Sequence, residues 1–220
     1  LTEHRSDNTR SKTLEGSRAD FHRYIVEPEN IQSEDYYQSM YEIIFRANSI
    51  LSYSDNADES NVAAYRAEAK FLRAYAYFNL VRLYGPVPLV TSVVVADDKE
   101  SLFTRKPLEE VYTQIVTDLQ EGVSNLSNDG SKSRASRAAA QGLLAKVYLT
   151  QPTPNYDGAR AMCEAIVGSG EFSLEPDFSD VFYNESNNEV IFSIEYIAGN
   201  PDESQGFSSE FTSYKRQGRQ

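Results

Sequence analysis

The run Phe71-Leu72-Arg73-Ala74-Tyr75-Ala76-Tyr77-Phe78-Asn79-Leu80-Val81-Arg82-Leu83 leaves few polar positions on its inner turns, within a helical pattern from Asn61 to Tyr84. A helix apolar around most of its circumference is stable only when other elements surround it. This segment therefore has to be a central rod, and the rest of the chain has to supply the layers around it. Gly85 stops the rod, and Pro86 and Pro88 forbid its continuation.

The flanking pattern is also helical. Tyr37, Met40, Tyr41, Ile44, Ala47, Asn48 and Leu51 recur at spacings of three and four, which predicts a helix over 36–51, after a polar, loop-like stretch from Leu1 to Ile31. Ser52 to Ser60 is a polar break. Pro107 suits the first turn of a third helix. Its apolar stripe is Val111, Ile115, Leu119 and Val123, and its wet side is Glu109, Glu110, Asp118 and Glu121. Ser136 is the expected N-cap of a fourth helix, Arg137 to Thr150, whose Ala138-Ala139-Ala140 and Gly142 invite close approach by a neighbour. A fifth helix runs from about Tyr156 to Val167, ended by Gly168 and Gly170. Its Cys163 reads as a buried, inert thiol.

Two segments read as extended, Val87–Val95 and the alternating Glu189–Tyr196; Phe172–Phe182 between the last helix and that strand reads as a loop anchored by aromatics. Short links join the helices into pairs, as a tetratricopeptide-type (TPR) repeat requires, although the spacing is irregular. The expectation is one mainly α, TPR-like domain over residues 1–220 with a minor β element.

Composition removes several function classes. With 21 basic and 33 acidic residues the formal net charge is −12, which argues against nucleic acid and against anionic membrane surfaces. One cysteine excludes an internal disulfide and two histidines leave little for a metal or catalytic centre. Asp55, Asp58 and Glu59, and the pair Asp97-Asp98, match no twelve-residue calcium loop. No paired-carboxylate, phosphate-loop or nucleophile-elbow pattern stands out, and no cofactor is expected. The unusual count is aromatic: 15 Tyr and 11 Phe without a Trp.

The stretch Ala67 to Val90, which includes the rod and Tyr84-Gly85-Pro86-Val87-Pro88-Leu89-Val90, resembles the SusD/RagB family, nutrient-binding outer-membrane lipoproteins of Bacteroidetes. Arg5-Ser6-Asp7-Asn8, Arg46-Ala47-Asn48, Val111-Tyr112 through Asp118-Leu119, Ala138 to Leu149, and Asn188-Glu189-Val190-Ile191-Phe192 resemble family phrases in the same order. Family members are usually much longer. The chain starts without Met and ends in the basic tail Lys215–Gln220, so it is read as part of a longer precursor.

The resemblance implies a TPR-like scaffold with irregular ligand loops, lipid-anchored and surface-exposed at the outer membrane. It also implies glycan or peptide ligands, delivery to a SusC-like TonB-dependent transporter, and no catalysis. A TPR-like scaffold that binds only protein is the alternative. Six residues are the candidate ligand contacts. Arg5, Asp7 and Asn8 form a dense donor–acceptor group near the family's ligand loops. Tyr24, Tyr36 and Tyr53 lie in or near loops, where their rings can stack on sugar C–H faces. Tyr37, Tyr41, Tyr75, Tyr77 and Tyr84 read as core. The absence of Trp departs from those glycan-binding members that use Trp platforms.

Overall fold

The computed structural model describes residues 16–95, 102–184 and 187–195. Its main elements are α2 (Ile31–Tyr53), α3 (Glu59–Tyr84), α4 (Leu108–Asn125), α5 (Arg137–Thr150) and α6 (Tyr156–Ser169), preceded by a short α1 (Ser17–Arg23) and followed by α7 (Asp180–Tyr183). Each long helix packs on the next in chain order: α2 on α3, α3 on α4, α4 on α5, α5 on α6. The mainly α, TPR-like architecture of stacked helix pairs holds. Among the described residues, no helix is long and apolar enough to cross a membrane.

The rod is at the centre, as its composition demands. From Arg73 to Val81 every residue except the half-buried Tyr75 is buried, and Ala74, Ala76, Tyr77 and Leu80 are wholly enclosed. Leu72, Arg82 and Leu83 are its exposed positions in this stretch. Around the rod pack Ile44 of α2, Val111, Ile115 and Leu119 of α4, and Ala140, Leu144 and Val147 of α5. The small residues act as expected: a Cβ on Gly122 of α4 would lie 3.2 Å from the Ala140 Cβ, so these two helices touch almost backbone to backbone.

Helix ends follow capping chemistry. The side chains of Asn30, Ser136 and Asn155 accept from the amides of Ser33, Ala139 and Gly158 at the starts of α2, α5 and α6. At the other end of α3, Gly85 (φ 70°) turns the chain sharply.

Several expectations are corrected. Ser17–Arg23 lies inside the stretch read as loop but forms a helix, because Asn30 Nδ2 ties its Ser17 carbonyl (2.8 Å) and Asp20 carboxylate (2.9 Å) to the start of α2. The regular β structure in Val87–Val95 is limited to Val87–Pro88, paired antiparallel with Arg105–Lys106; a proline cannot donate to a longer ladder. Glu189–Tyr196 is no strand over its described part. Its residues 187–193 are held by side chains and by isolated backbone hydrogen bonds, from Ser193 to the Lys132 carbonyl and from Ser173 to the Asn188 carbonyl, with Phe192 at 5.4 Å from Phe71 and Ile194 exposed. Phe178 and Phe182 do not anchor their loop; they lie edge to face against each other and are 76% and 70% exposed. Cys163 is exposed rather than buried, since α6 presents only one face to α5 and buries only Ala159 fully. Gly168 lies within α6, which Gly170 caps in the left-handed conformation. Residues 96–100, expected as an acidic loop, lie outside the described residues.

Candidate functional site

Charged and polar residues at the centre of the fold serve the fold itself. Asp118, expected on the wet side of α4, is 1% exposed. Arg73 forks it, with Nε and Nη2 donating to the two carboxylate oxygens at 2.8 Å each. The Arg73 Nη1 donates to Asn48 Oδ1 at 2.7 Å and to the Thr91 carbonyl at 3.0 Å. Asn48 Nδ2 in turn donates to the carbonyls of Val90 and Ser92. The Tyr77 hydroxyl donates to the Val90 carbonyl (2.9 Å) and accepts from its amide (2.6 Å), while the Tyr41 hydroxyl donates to Pro88. These side chains strap residues 88–92 across α2 and α3. No buried side-chain polar atom among the described residues lacks a partner, so the network offers no vacant group to a ligand.

The strap gives a pH signature. Free tyrosine ionises near pH 10. Burial, before any other cause, pushes the Tyr41 and Tyr77 hydroxyls well above that value, and a hydrogen bond with Tyr37 adds to the shift at Tyr41. The folded state then keeps protons that the unfolded chain loses, so stability is full below pH 10 and falls as pH rises through and beyond it. The expected loss is up to about 1.4 kcal/mol per pH unit for a fully buried tyrosine such as Tyr77. Urea midpoints at pH 9 and pH 11 test this: wild type should drop, and Tyr77→Phe, with no proton to lose there, should drop less. Equal slopes for the two proteins would refute it.

Of the predicted ligand contacts among the described residues, Tyr36 and Tyr53 do not converge. Arg5, Asp7 and Asn8 lie outside the described residues. Tyr36 and Tyr53 sit near opposite ends of α2, separated by 17 positions, or roughly 25 Å of helix. Tyr24 is 58% exposed and caps α1 in the left-handed conformation at φ 59°. Tyr36 is half-buried. Burial chiefly raises its hydroxyl pKa, with Tyr75 and Tyr84 adding to the shift and Arg82 opposing it, so these four residues form one aromatic and basic cluster.

Tyr53 belongs to a separate groove of about 410 Å³ between the end of α2 and the first half of α3. Its walls are Ile50, Tyr53, Tyr65 and Leu72, with Glu68 and Arg134 at the edge. Tyr53 and Tyr65 are 63% and 43% exposed. Arg134 Nη2 donates to both Glu68 oxygens at 2.7 and 2.8 Å, and that carboxylate raises the guanidinium's pKa. Sequence reasoning missed Tyr65, Leu72 and Arg134. Tyr65 and Leu72 lie on the helix read as core, and Arg134 comes from the loop before α5, so no spacing links them.

A smaller cleft of about 140 Å³ is lined by Asn128, Lys132, Ser136, Glu171 and Asn188. Its polar groups bind one another: Asn128 donates to Glu171 at 2.6 Å and Lys132 donates to the Asn187 carbonyl. It fastens residues 187–193 to the helical body. Asp55, one of the acids weighed for calcium, is paired with Arg66 at 3.0 Å.

Comparison with known proteins adds a family. SusD-like protein P2 of Formosa agariphila is 30% identical over 191 residues, covering 83% of this chain and 37% of that protein. A SusD-like protein of Bacteroides ovatus is 29% identical over 182 residues, covering 73% and 32%. The chain thus spans about a third of the length of these relatives. A crystal structure with xylogluco-oligosaccharide matches at TM-score 0.76 and 26% identity, over 89% of this chain and 42% of that one. A laminarin-binding SusD-like protein matches at TM-score 0.73 and 30% identity, over 80% and 40%. The family model described as SusD-like, starch-binding associating with outer membrane, matches residues 1–149, and the chain belongs to that SusD-like family.

Proposed function

We propose that the protein to which this chain contributes is a non-catalytic, surface-exposed binder of oligosaccharides at the bacterial outer membrane. It captures the glycan and delivers it to a SusC-like TonB-dependent transporter. The observation that carries this reading is the family match over residues 1–149, described as starch-binding and outer-membrane-associated. Two similar structures support the glycan over the peptide: one holds xylogluco-oligosaccharide and the other is named for binding laminarin. Delivery to the transporter and a lipid anchor rest on the family resemblance.

Isothermal titration of the full-length protein against glycan and peptide panels tests the capture step. Saturable binding of a neutral glucan oligosaccharide, unchanged in composition after incubation, is expected. Peptide binding with no response to any glycan would overturn it. Co-purification with a SusC-like TonB-dependent barrel from the same cells tests delivery, and a barrel that loads glycan equally well without this protein would refute that step.

A further inference from the structure

The groove at the Tyr53 end of α2 has features that the packing of the chain does not account for. Ile50, Tyr53, Tyr65 and Leu72 all line it, and all are more than a third exposed. The Tyr53 and Tyr65 hydroxyls take part in no hydrogen bond among the described residues. Two rings and two aliphatic side chains thus face an open volume of about 410 Å³, within the range of roughly 300–1,000 Å³ of small-molecule sites.

The rim is polar but electrically balanced. Glu68 and Arg134 neutralise each other, and only Nη2 of Arg134 is engaged with the carboxylate. The guanidinium is half exposed, at 57% of its side chain, and still carries Nε and Nη1 donors. A ligand suited to this surface needs an apolar face for the rings and hydroxyls for the rim. A charged ligand would meet no net countercharge there.

We propose that this groove is a glycan subsite for a neutral oligosaccharide, with Tyr53 and Tyr65 stacking on pyranose faces and Arg134 and Glu68 gripping hydroxyls. The inference rests on the glycan-binding function proposed above and assigns it a place, remote from the Tyr36 cluster at the other end of α2, and a charge class.

The test uses the full-length protein and isothermal titration with xyloglucan heptasaccharide and laminarihexaose as neutral probes and a galacturonic acid hexamer as the anionic one. Wild type should bind a neutral probe and ignore the uronate. Tyr53→Ala and Tyr65→Ala should each weaken binding about 3- to 10-fold, the scale of one aromatic contact, with helical circular dichroism unchanged because both rings are largely exposed. Tyr53→Phe should keep most of the affinity, which separates stacking from loss of the hydroxyl. Unchanged affinity in both alanine variants overturns the subsite while glycan binding stands, and a loss confined to Tyr36→Ala would move it to the other end of α2. Uronate bound as tightly as the neutral probes overturns the charge class. Failure of every glycan to bind wild type overturns both the subsite and the proposed function.

Discussion

Asp118→Ala will lower the unfolding free energy by about 3–5 kcal/mol, the usual cost of leaving one partner of a buried ion pair behind. The partner left behind is Arg73, 4% exposed in the middle of the rod. Without the carboxylate, the Nε and Nη2 donors lose their acceptors, and only Asn48 and the Thr91 carbonyl remain to satisfy the guanidinium. Domains have only about 5–15 kcal/mol to lose, so a large part of the folded population is at stake. Urea unfolding followed by circular dichroism measures the change. Replacing both partners, as Arg73→Met with Asp118→Leu, should recover much of the loss, because apolar residues of similar volume need no counter-ion. The double variant should still leave residues 91–92 exchanging their amide protons faster than wild type, since Tyr77 would keep Val90 and Asn48 alone would hold the end beyond it. A cost below about 1 kcal/mol for the single variant would place the pair in the class of surface salt bridges and refute its structural role.

The limits of reading this fold from sequence show in the same residues. The rod, its glycine stop, the Ser136 cap and the bounds of α5 were legible because each depends on neighbours a few positions away. Asp118 was not. It was grouped with the glutamates by its charge, although its spacing of seven from Val111 and three from Ile115 sets it on the apolar stripe, and only the packing of α4 against α3 brings it to an arginine 45 positions earlier in the chain. Asn48 stood among the apolar positions of α2 by spacing, and the structure explains why a polar residue is there: it holds the strap. The strand expected at Glu189 failed for the complementary reason. Alternation specifies a face to bury but not a partner to pair with, and here side chains of Asn187, Glu175 and Glu189 take up the backbone amides.

The candidate site was legible only in its residue type. Excess tyrosine suggested stacking surfaces, and the three tyrosines chosen near helix ends have exposed or half-buried rings. Their grouping was not legible, because a 23-residue helix carries its ends apart by a distance that sequence position conceals. Tyr65 was hidden for a different reason: it occupies the first half of a helix whose second half is core, and burial changes along the rod's length as neighbours run out.

Phe71→Ala is expected to cost about 3–5 kcal/mol, as a fully buried ring removed from a core with little room to collapse. Phe71 is 1% exposed and belongs to the central cluster, yet its ring also meets Phe192 edge to face at 72°. It therefore does two things: it fills the rod's contact with its neighbours, and it gives residues 187–193 an apolar seat. The two roles separate by comparison with Phe192→Ala, where the half-buried ring should cost about 1–2 kcal/mol from lost apolar burial and leave the helices intact. Both variants should speed amide exchange at Ser193, whose amide donates to the Lys132 carbonyl, but only Phe71→Ala should also speed exchange in α4 and α5. If Phe192→Ala destabilises the whole molecule as much as Phe71→Ala does, residues 187–193 are an integral layer of the core and not a satellite seated on it. The distinction reaches the proposed subsite, because Leu72 adjoins Phe71 and Glu68 lies one helical turn before it. Phe192→Ala should then leave oligosaccharide affinity within about twofold of wild type, since the groove walls belong to α2, α3 and the Arg134 loop, whereas a large loss would tie the seated segment to ligand capture.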